Sequence, residues 1–548
     1  MTLKEDLKNL IKGDVFDDAK TLDIFSRDAS ILEVMPELVV APKDVGDLKS
    51  LVKFVSERKK ENPKLSLTAR SAGTDMSGGP LNESIILDFL KYFNKIKEVS
   101  DDGYAITEPG VFYRDFENES KKKGFIFPSY PASKELCSLG GIVSNNSGGE
   151  KNPAFGKTEN YVMELKVVLS DGNEYTIMPL NKSELELKMN QKDFEGDLYR
   201  RIFKLVSENS VLLKEAKPKV SKNSAGYYLW NIFDGEIFDL TKLIVGSQGT
   251  LGLVTEIKLR LVPVTKYSKL LVIFLRDIKN LAQIVNTVLP HKPESVESYD
   301  DNTLKLAFKF MPDIIKRIGP KNIFKFLLSF IPEVKMILTG GFPKLVILVE
   351  FTSNEENNIY EKMNALNDDL KKFKIKTHIS KTDEESNKYW TIRRESFALL
   401  RKHVHGKHAA PFIDDIIVQP VYLPEFLPKL NKILEDYDFI HTVAGHVGDG
   451  NFHIIPLLDL SKKSNYGVIP EIIERVFNLV LEYKGSITAE HNDGIIRTPY
   501  LKKMFGDEVI KLFEETKNIF DPKNIFNPHK KVGSGLKYMV DHIMHHNM

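Results

Sequence analysis

Residues 70–79 read RSAGTDMSGG and place seven small residues among ten positions, directly after a predicted strand, LSLTAR, at 65–70. Small side chains let successive backbone N–H groups converge on an anion, and glycine tolerates the positive φ that such a nest requires. A diphosphate suits this chemistry, and a plain surface turn is the alternative for this loop alone. The loop has neither the Gly-Lys-Ser/Thr of a P-loop nor the three spaced glycines of the dinucleotide fingerprint, so both of those motifs are excluded.

Two further loops of the same character follow along the chain. Residues 139–149 read LGGIVSNNSGG and residues 246–252 read GSQGTLG, and each lies beside a predicted strand. Three such loops in one stretch indicate a long ligand, with a diphosphate and flat rings, lying along buried backbone.

The surrounding segments predict an α/β layer that ends near Pro263 and is followed by a second α+β domain. The first 30 residues read as helix. The strand-like segments of the first domain are LVVAPK (38–43), IILDFL (85–90), AITEPG (105–110), ELKVVLSDG (164–172), KLIVGSQGTLG (242–252) and LVTEIKLRLVP (253–263). The second domain reads as strands at 269–275, 344–351, 439–447 and 452–456, with helices at 280–289, 390–401, 471–483 and 507–519.

Composition bounds the class of protein. The chain has 548 residues, more than one compact core holds. Lysine and arginine number 77 against 76 for aspartate and glutamate, so no global field recruits nucleic acid. Cys137 is the single cysteine, which excludes intramolecular disulfides and argues against an iron–sulfur cluster in this chain. Without a signal-peptide pattern or an apolar run of roughly 18 residues, we expect a cytoplasmic protein, with peripheral attachment to the inner face of the cell membrane as the alternative.

Histidine and carboxylate residues cluster in the second domain. In AGHVGDGNFHIIP, His446 and His453 flank a glycine turn, with Asn451 between them, and in SITAEHNDGIIRTPYL the residues Glu490 and His491 are adjacent. Imidazole and carboxylate both suit zinc, manganese or iron, so these residues are candidates for a divalent-metal site. The alternative is a set of polar loop residues without a ligand.

These motifs carry a resemblance to known flavoproteins. Residues from about 35 to 263 resemble the FAD-binding domain of the vanillyl-alcohol-oxidase/PCMH superfamily. GHVGDGNFH, AEHNDG and the closing FDP…IFNP at 520–528 resemble the C-terminal domain of FAD-dependent D-2-hydroxyacid dehydrogenases, which include D-lactate dehydrogenases, the glycolate oxidase flavin subunit and D-2-hydroxyglutarate dehydrogenase.

The resemblance implies an α+β fold. An N-terminal helical segment (1–33) precedes a PCMH-type FAD-binding domain (34–264), an FAD-linked oxidase C-terminal domain of ferredoxin-like or cap type (265–530) and a tail (531–548). Because Thr74 and Asp75 stand where some relatives carry a flavin-linking histidine, we expect non-covalent FAD. The residues implied to bind FAD are Arg70, Ser71, Ala72, Gly73, Thr74, Asp75, Met76 and Gly79 at the pyrophosphate, Ser133, Gly140, Gly141, Ser144, Asn145 and Gly149 farther along, Gly249 and Val254 at the adenine, and also Asn451 and Asn527.

The resemblance also implies the chemistry of the second domain. His446, His453 and Glu490 would bind the metal, with zinc expected and manganese or iron as alternatives. His491 would remove the hydroxyl proton of the substrate. Arg393, or Arg394 as its neighbour, would anchor the substrate carboxylate, because a guanidinium binds carboxylates bidentately. Asn492 replaces the usual glycine after Glu-His and tolerates a left-handed backbone, although its side chain could narrow the pocket.

The expected reaction is oxidation of a small D-2-hydroxy acid, with D-lactate or glycolate favoured, and with electrons passing to a quinone or a separate iron–sulfur protein. Two alternatives remain: an alkylglycerone-phosphate synthase-like flavoprotein, and a non-catalytic FAD-binding subunit of a membrane complex. The basic, aromatic segment 305–344 is a candidate membrane contact, with a core helix pair as its alternative. The histidine-rich KHVHGKH at 402–408 reads as a solvated or pocket-lining loop.

Overall fold

The computed structural model describes residues 2–318, 330–331, 341–403, 407–437 and 439–545. The chain forms two α+β domains, so the predicted fold class is confirmed. Half of the segment proposed to contact a membrane, at 319–329 and 332–340, lies outside the described residues, as does His405 of the histidine-rich loop. No helix in the described part of the chain is long and apolar enough to cross a membrane.

The first domain begins with a small sheet that carries the first glycine loop. Its strands lie in the order Asp14–Phe16, Leu38–Ala41, Ile85–Asp88 and Leu67–Arg70, and the last three are parallel. Helix Val45–Arg58 packs its apolar face on this sheet through Leu48, Leu51, Val52 and Val55. Because the strand at 67–70 is buried and parallel to its neighbour, it delivers the loop at 70–79 to the carboxyl edge of the sheet, where α/β folds place their ligands.

A second, antiparallel sheet completes the first domain. Its strands lie in the order Ile96–Val99, Tyr104–Thr107, Leu253–Arg260, Val162–Val168 and Glu174–Ile177, and Phe125–Ile126 pairs separately with Val262–Pro263. Residues of Leu253–Arg260 alternate between buried and partly exposed, as expected for a sheet with one face on a core. The helices of this domain are Leu3–Leu10, Ala19–Phe25, Tyr113–Lys122, Leu139–Asn145, Asn152–Phe155, Lys182–Met189, Phe194–Glu208, Ser210–Ala216 and Thr241–Ile244, with 3₁₀ turns at Thr158–Asn160 and Leu229–Asn231.

The second domain is built on one antiparallel sheet. Its described strands lie in the order Lys376–Ile379, Tyr267–Leu275, Leu345–Ser353, Ser295–Asp300, Ile440–His446, Asn451–Leu458 and His408–Ala409, and Ile416–Ile417 also pairs with Asn451–Leu458. Its helices are Leu281–Val288, Asp301–Lys309, Met311–Ile318, Glu356–Leu370, Asp383–His403, Leu423–Glu435, Lys463–Tyr466, Ile469–Glu482, Gly494–Arg497, Leu501–Phe520 and Leu536–Asp541, with 3₁₀ turns at Leu289–His291, Lys371–Phe373, Pro420–Tyr422 and Thr498–Tyr500.

Other parts of the chain pack on both faces of this sheet. This packing fixes the position of the helix that carries Arg393 and Arg394. Within strand Tyr267–Leu275, Leu271 and Ile273 enter the large core with helices Leu281–Val288 and Glu356–Leu370. The alternate residues Leu270 and Val272 pack on the other face against Tyr389, Trp390 and Ile392. Helix Asp383–His403 is therefore pressed onto the sheet at the residues just before Arg393.

The chain returns to the first domain near its end. Helix Leu501–Phe520 buries Val509, Leu512 and Phe513 in the first domain's core, and Ile525 and Phe526 pack under the small sheet. Leu67 accepts a hydrogen bond from the Asn527 amide and donates one to Ile525, so the closing segment extends the strand that leads into the first glycine loop. This return holds the two domains around a shared space.

Two local predictions were wrong. The first 30 residues are not one helical stretch, because Asp14–Phe16 forms a strand against Val39–Ala41, and Asp47 accepts the amides of Lys12 and Gly13 that a helix would have used. Residues 242–252 are not a strand either. A short helix, Thr241–Ile244, precedes the third glycine loop, and Asp239 accepts the amide of its first residue, Thr241.

A half-buried carboxylate at the domain boundary makes stability depend on pH. Glu350 accepts hydrogen bonds from Ser268 and Ser295, and burial raises its pKa to about 7, with Glu294 and Glu150 adding to the rise and Lys151 opposing it. A carboxyl group whose pKa is higher in the folded state holds more protons there. Its ionisation therefore costs stability as pH rises from the unfolded value of 4.5 through about 7.

Glu350→Gln should remove this cost, which is on the order of 2 kcal/mol. We expect the variant to match the wild-type thermal midpoint near pH 5 and to exceed it by a few degrees near pH 8. Glu355→Gln, an exposed substitution on the same segment, serves as the control. A variant that loses stability equally at both values of pH would contradict the assignment.

Candidate active site

One cavity of about 540 Å³ runs between the two domains and brings together most of the residues that the sequence singled out. Its volume lies in the range of cofactor and substrate sites. The predicted residues on its wall are Arg70, Ser71, Gly73, Thr74, Asp75, Met76, Gly79, Ser133, Gly140, Gly141, Ser144, Asn145, Gly249, Val254, Arg393, Arg394, His446, His453, Glu490 and His491. The three glycine loops and the histidine cluster therefore share a single space.

The first glycine loop is held by its own polar residues. Asp75 accepts the Ser77 and Gly79 amides, and its other oxygen accepts the Asn145 side-chain amide at 2.8 Å. The Arg70 guanidinium donates to the backbone carbonyls of Phe25 and Arg27. Both side chains thus shape the loop, and the small residues and backbone between them form the wall that faces the ligand.

Four predicted cofactor residues do not line the cavity, and each has a supporting contact instead. Asn527 donates to the carbonyls of Gly79 and Gln248 and so ties the first loop to the third. Asn451 is fully buried and donates to Asp415 and Ile416. A Cβ at Gly149 would lie 2.1 Å from the Tyr130 carbonyl oxygen, so this glycine allows close chain packing. Ala72 contributes only its amide, which donates to Ser138.

The space along the glycine loops fits a flat, phosphorylated cofactor. Gly141 lies in helix Leu139–Asn145, and an added Cβ would meet only the hydroxyls of Ser71 and Ser138, at 3.3 and 3.7 Å. The wall is therefore open at this point, and a side chain would project into the cavity. Burial raises the pKa of the nearby Cys137 thiol to about 12, so this cavity-lining residue stays protonated and is a poor nucleophile toward a cofactor.

Two imidazole rings lie in an edge-to-face arrangement at the far end of the cavity. His446 ends strand Ile440–His446 and His453 lies near the start of Asn451–Leu458, so the intervening hairpin places their rings 5.2 Å apart. Nδ1 of His446 contacts Glu297, and Nδ1 of His453 lies 3.0 Å from Asp414. Since a carboxylate only accepts, each Nδ1 carries a proton, and Nε2 is the nitrogen of each ring that is left for a ligand.

Glu490 completes this donor set. Its Oε1 lies 3.4 Å from Nε2 of His446, and its loop is fixed by Asp415, one oxygen of which accepts the amides of Ala489, Glu490 and His491 and the Thr488 hydroxyl. Ligand atoms of Asp415, His453, Glu490 and His491 lie within 4.8 Å of one another. Nε2 of His446 lies beside this group, and both Asp415 oxygens already accept hydrogen bonds, so His446, His453 and Glu490 remain the candidate ligands for a divalent cation.

The electrostatic potential of the cluster favours a cation. Burial works against a charged His446, but Glu297 and Glu490 outweigh it and raise its pKa to about 9. The pKa of His491 is raised in the same way. Burial lowers it, but Asp414 and Asp415 outweigh burial and raise the pKa to about 9. The negative charge that holds protons on these rings would also attract a divalent metal, and metal binding would displace the proton from Nε2 of a ligating ring.

Residues of the first domain reach into this cluster. Lys222 is fully buried, and its ammonium contacts Glu490 and lies 3.2 Å from Asp449. Asn152 donates to the other Asp449 oxygen at 2.9 Å. Asp449 sits on the turn between His446 and His453, so the first domain clamps both segments that carry the candidate metal ligands.

His491 is placed to exchange a proton with a ligand. Its Nδ1 lies 2.6 Å from Asp414, and its ring stacks on that of His453 at 5.1 Å. The side chain is about one-fifth exposed and lies on the cavity wall, while Asp414 is fully buried. Asp414 therefore orients both His453 and His491, and it presents Nε2 of His491 to the cavity.

The two arginines have different partners. Arg393 donates to Glu297 through Nε and a terminal nitrogen, at 3.2 and 3.0 Å, and is largely buried. Arg394 pairs with Glu150 of the first domain and lies over the Trp390 ring. Both line the cavity on the side of the histidine cluster, together with the apolar Ala444 and Ile455.

Asn492 adopts the left-handed backbone that the sequence predicted, with φ of 68°. It is fully buried, lies off the cavity wall, and donates to the Gly246 carbonyl at 2.9 Å. Its side chain therefore joins the Glu-His loop to the third glycine loop and leaves the width of the pocket unchanged.

Several residues of the site were missed by sequence reasoning. Glu297, Asp414, Asp415 and Lys222 all act across long sequence separations. The acidic residues left a usable signal, because Glu297 interrupts the buried strand SVESYD and Asp414-Asp415 interrupts the apolar FIDDII. The sequence around Lys222 gave no such indication, because it reads as an ordinary polar loop.

Comparison with known families agrees with this geometry. Residues 36–177 match the model of an FAD binding domain, and residues 264–531 match that of the C-terminal domain of FAD linked oxidases. The chain belongs to the FAD-linked oxidases. This confirms the family assigned from the glycine loops and from the two histidine motifs, and it supports FAD as the cofactor.

Individual relatives of this FAD-linked oxidase are distant. It is 26% identical to D-2-hydroxyglutarate dehydrogenase of Pseudomonas putida, over 95% of this chain and 50% of that protein. It is 27% identical to glycolate oxidase subunit GlcD of Bacillus subtilis, over 96% of each chain. It is 26% identical to D-lactate dehydrogenase of Archaeoglobus fulgidus, over 90% of this chain and 91% of that protein. The chain spans about half the length of the first of these relatives.

Solved structures share the fold of this FAD-linked oxidase. p-Cresol methylhydroxylase with substrate bound aligns with a TM-score of 0.66 at 16% identity, covering 97% of this chain and 96% of that chain. Alkyldihydroxyacetonephosphate synthase aligns with a TM-score of 0.65 at 14% identity, covering 96% and 84%. At these identities the likeness shows the architecture alone.

Gly141→Leu tests the cofactor wall. The side chain would enter the open cavity without backbone strain at its helical position, and we expect bound FAD to fall at least tenfold while the protein remains folded. The measurement is the visible flavin absorbance per protein after purification. Gly535→Leu, at an exposed glycine with nothing within 4 Å of its Cβ position, is the control. Full flavin content in the Gly141 variant would place FAD elsewhere.

Proposed function

We propose that the protein is an FAD-dependent dehydrogenase of a small D-2-hydroxy acid, with D-lactate or glycolate as the favoured substrate. The observation that carries the proposal is that one cavity joins the glycine loops of the FAD binding domain to the cluster of His446, His453, Glu490 and His491. Relatives named D-lactate dehydrogenase and glycolate oxidase subunit GlcD, each matched over nine-tenths or more of both chains, support the substrate class.

Each residue of the cluster has a role in this reaction. Non-covalently bound FAD supplies a two-electron acceptor for the substrate Cα–H, and a divalent cation, for which zinc suits the donor set and manganese or iron are alternatives, supplies positive charge at the substrate hydroxyl. His446, His453 and Glu490 hold the cation. A cation held beside His491 would lower the pKa of this ring, and the neutral ring would take the hydroxyl proton at Nε2, while Asp414 holds the ring and stabilises the imidazolium that forms.

Substrate binding is assigned to the arginine side of the cavity. Arg393 supplies the guanidinium for the α-carboxylate, with Arg394 beside it. The acid's side chain then meets Ala444 and Ile455, which suits a hydrogen atom or a methyl group better than a second carboxylate. A quinone or a separate iron–sulfur protein would be the final electron acceptor.

The proposal predicts that the FAD-loaded protein is bleached anaerobically by D-lactate or glycolate, because hydride transfer reduces the flavin. D-2-Hydroxyglutarate and L-lactate should reduce it more slowly. The measurement is the flavin spectrum in a stopped-flow mixer without oxygen. No bleaching by any short 2-hydroxy acid would refute the assignment and leave an alkylglycerone-phosphate synthase-like flavoprotein or a non-catalytic FAD-binding subunit to be tested.

Asp414→Asn tests the proton transfer. The amide cannot hold both His453 and His491 in the orientation that presents Nε2, so kcat should fall by a factor on the order of 10²–10⁴. FAD content should be unchanged. Asp369→Asn breaks an exposed pair with His291, 2.9 Å apart and away from the cavity, and is the matched control. Equal kcat in both variants would remove His491 from the mechanism.

A further inference from the structure

Glu297 is the buried carboxylate on which two parts of the site converge. It lies in strand Ser295–Asp300 of the second domain's sheet and is 1% exposed. One oxygen contacts Nδ1 of His446, and the other accepts Nε and a terminal nitrogen of Arg393, at 3.2 and 3.0 Å. Burying a carboxylate is costly unless it is fully paired, so these contacts define its position.

We infer that Glu297 is a positioning residue of the metal centre, which orients His446 for a divalent cation and fixes Arg393 from the same carboxylate. The inference rests on the proposed metal site of His446, His453 and Glu490. His446 ends its strand, so its ring orientation depends on what its Nδ1 binds. With the proton fixed there, Nε2 is the nitrogen that remains for the cation, and the carboxylate raises its basicity.

The charge of Glu297 is as important as its shape. Its His446 and Arg393 neighbours both present N–H donors, and a carboxylate satisfies both. A glutamine in its place has one acceptor and one donor, so either orientation of its amide sets an N–H group against another N–H group. The isosteric change therefore breaks one side of the arrangement without creating a cavity.

The neighbouring Glu294 provides a matched control. It lies just before the same strand, is 5% exposed, and pairs with Lys151 and the Thr352 hydroxyl. Within the part of the chain that the structure describes, Glu294 contacts neither His446 nor Arg393. Glu294→Gln therefore removes a buried, paired carboxylate from the same region while leaving the histidine cluster intact.

The test is the zinc affinity of the purified FAD-loaded protein, measured by competition with a chromophoric chelator. We expect Glu297→Gln to weaken zinc binding 10–100-fold, the usual effect of losing such a partner, while Glu294→Gln stays close to wild type. Cobalt substitution gives a second readout, because a rotated His446 alters the visible spectrum of the bound ion.

Equal zinc affinity in wild type and Glu297→Gln, with the same cobalt spectrum, would overturn the inference and leave the proposed function standing. A wild-type protein that binds no divalent metal would overturn the inference and the metal site together, whatever the flavin does with substrate. If Glu297→Gln does not retain FAD, Glu297→Asp replaces it. This variant keeps the charge but withdraws it by one methylene group, and we expect weaker zinc binding there too. Unchanged affinity would contradict the inference in the same way.

Discussion

The geometry of the site depends on one buried carboxylate, Asp415. A single oxygen of this side chain accepts the amides of Ala489, Glu490 and His491 and the Thr488 hydroxyl, and this fixes the short loop that carries a candidate metal ligand and the candidate base. Asp415 itself adopts a left-handed backbone with φ of 69°, and Asn451 supports its second oxygen. Burial disfavours its charge, but neighbouring cationic groups, His491 first among them, keep the pKa of Asp415 below its ordinary value. Without this carboxylate, the Glu490 and His491 amides and the Thr488 hydroxyl would lose their partner, and the positions of Glu490 and His491 would no longer be set.

The second constraint is the enclosure of that loop by both domains. Lys222 and Asn152 come from the first domain and bind Glu490 and Asp449, while Asn492 of the second domain binds the third glycine loop. The closing segment then returns to the first domain, where Asn527 joins the first and third glycine loops. The flavin wall and the histidine cluster are thus parts of one polar network rather than two sites brought near each other. Such a network is costly to build, since each buried group needs its partner.

Much of this could be read from the sequence, for identifiable reasons. The glycine loops are local features whose small residues report directly on close backbone approach. His446, His453, Glu490 and His491 stood out because polar residues recur beside glycine turns, and Asn492 was correctly assigned a left-handed backbone. The partners of these residues could not be found in this way, because their contacts depend on tertiary structure. Glu297 and His446 are separated by 149 positions, and Lys222 and Glu490 by 268. The same limit explains Asn451 and Asn527, which belong to the site's motifs but act by holding other residues. The strand predicted at 242–252 was wrong because Thr241–Ile244 forms a short helix there.

The central claim is that a divalent cation and the flavin occupy opposite parts of the same cavity, with the cation on His446, His453 and Glu490. Anomalous diffraction from crystals of the zinc-loaded, FAD-containing protein tests it most directly. The account predicts one strong zinc peak within bonding distance of Nε2 of both histidines and of a Glu490 oxygen, on the cavity side that faces the isoalloxazine ring. A peak at another cluster, or a flavin bound outside the cavity, would contradict it.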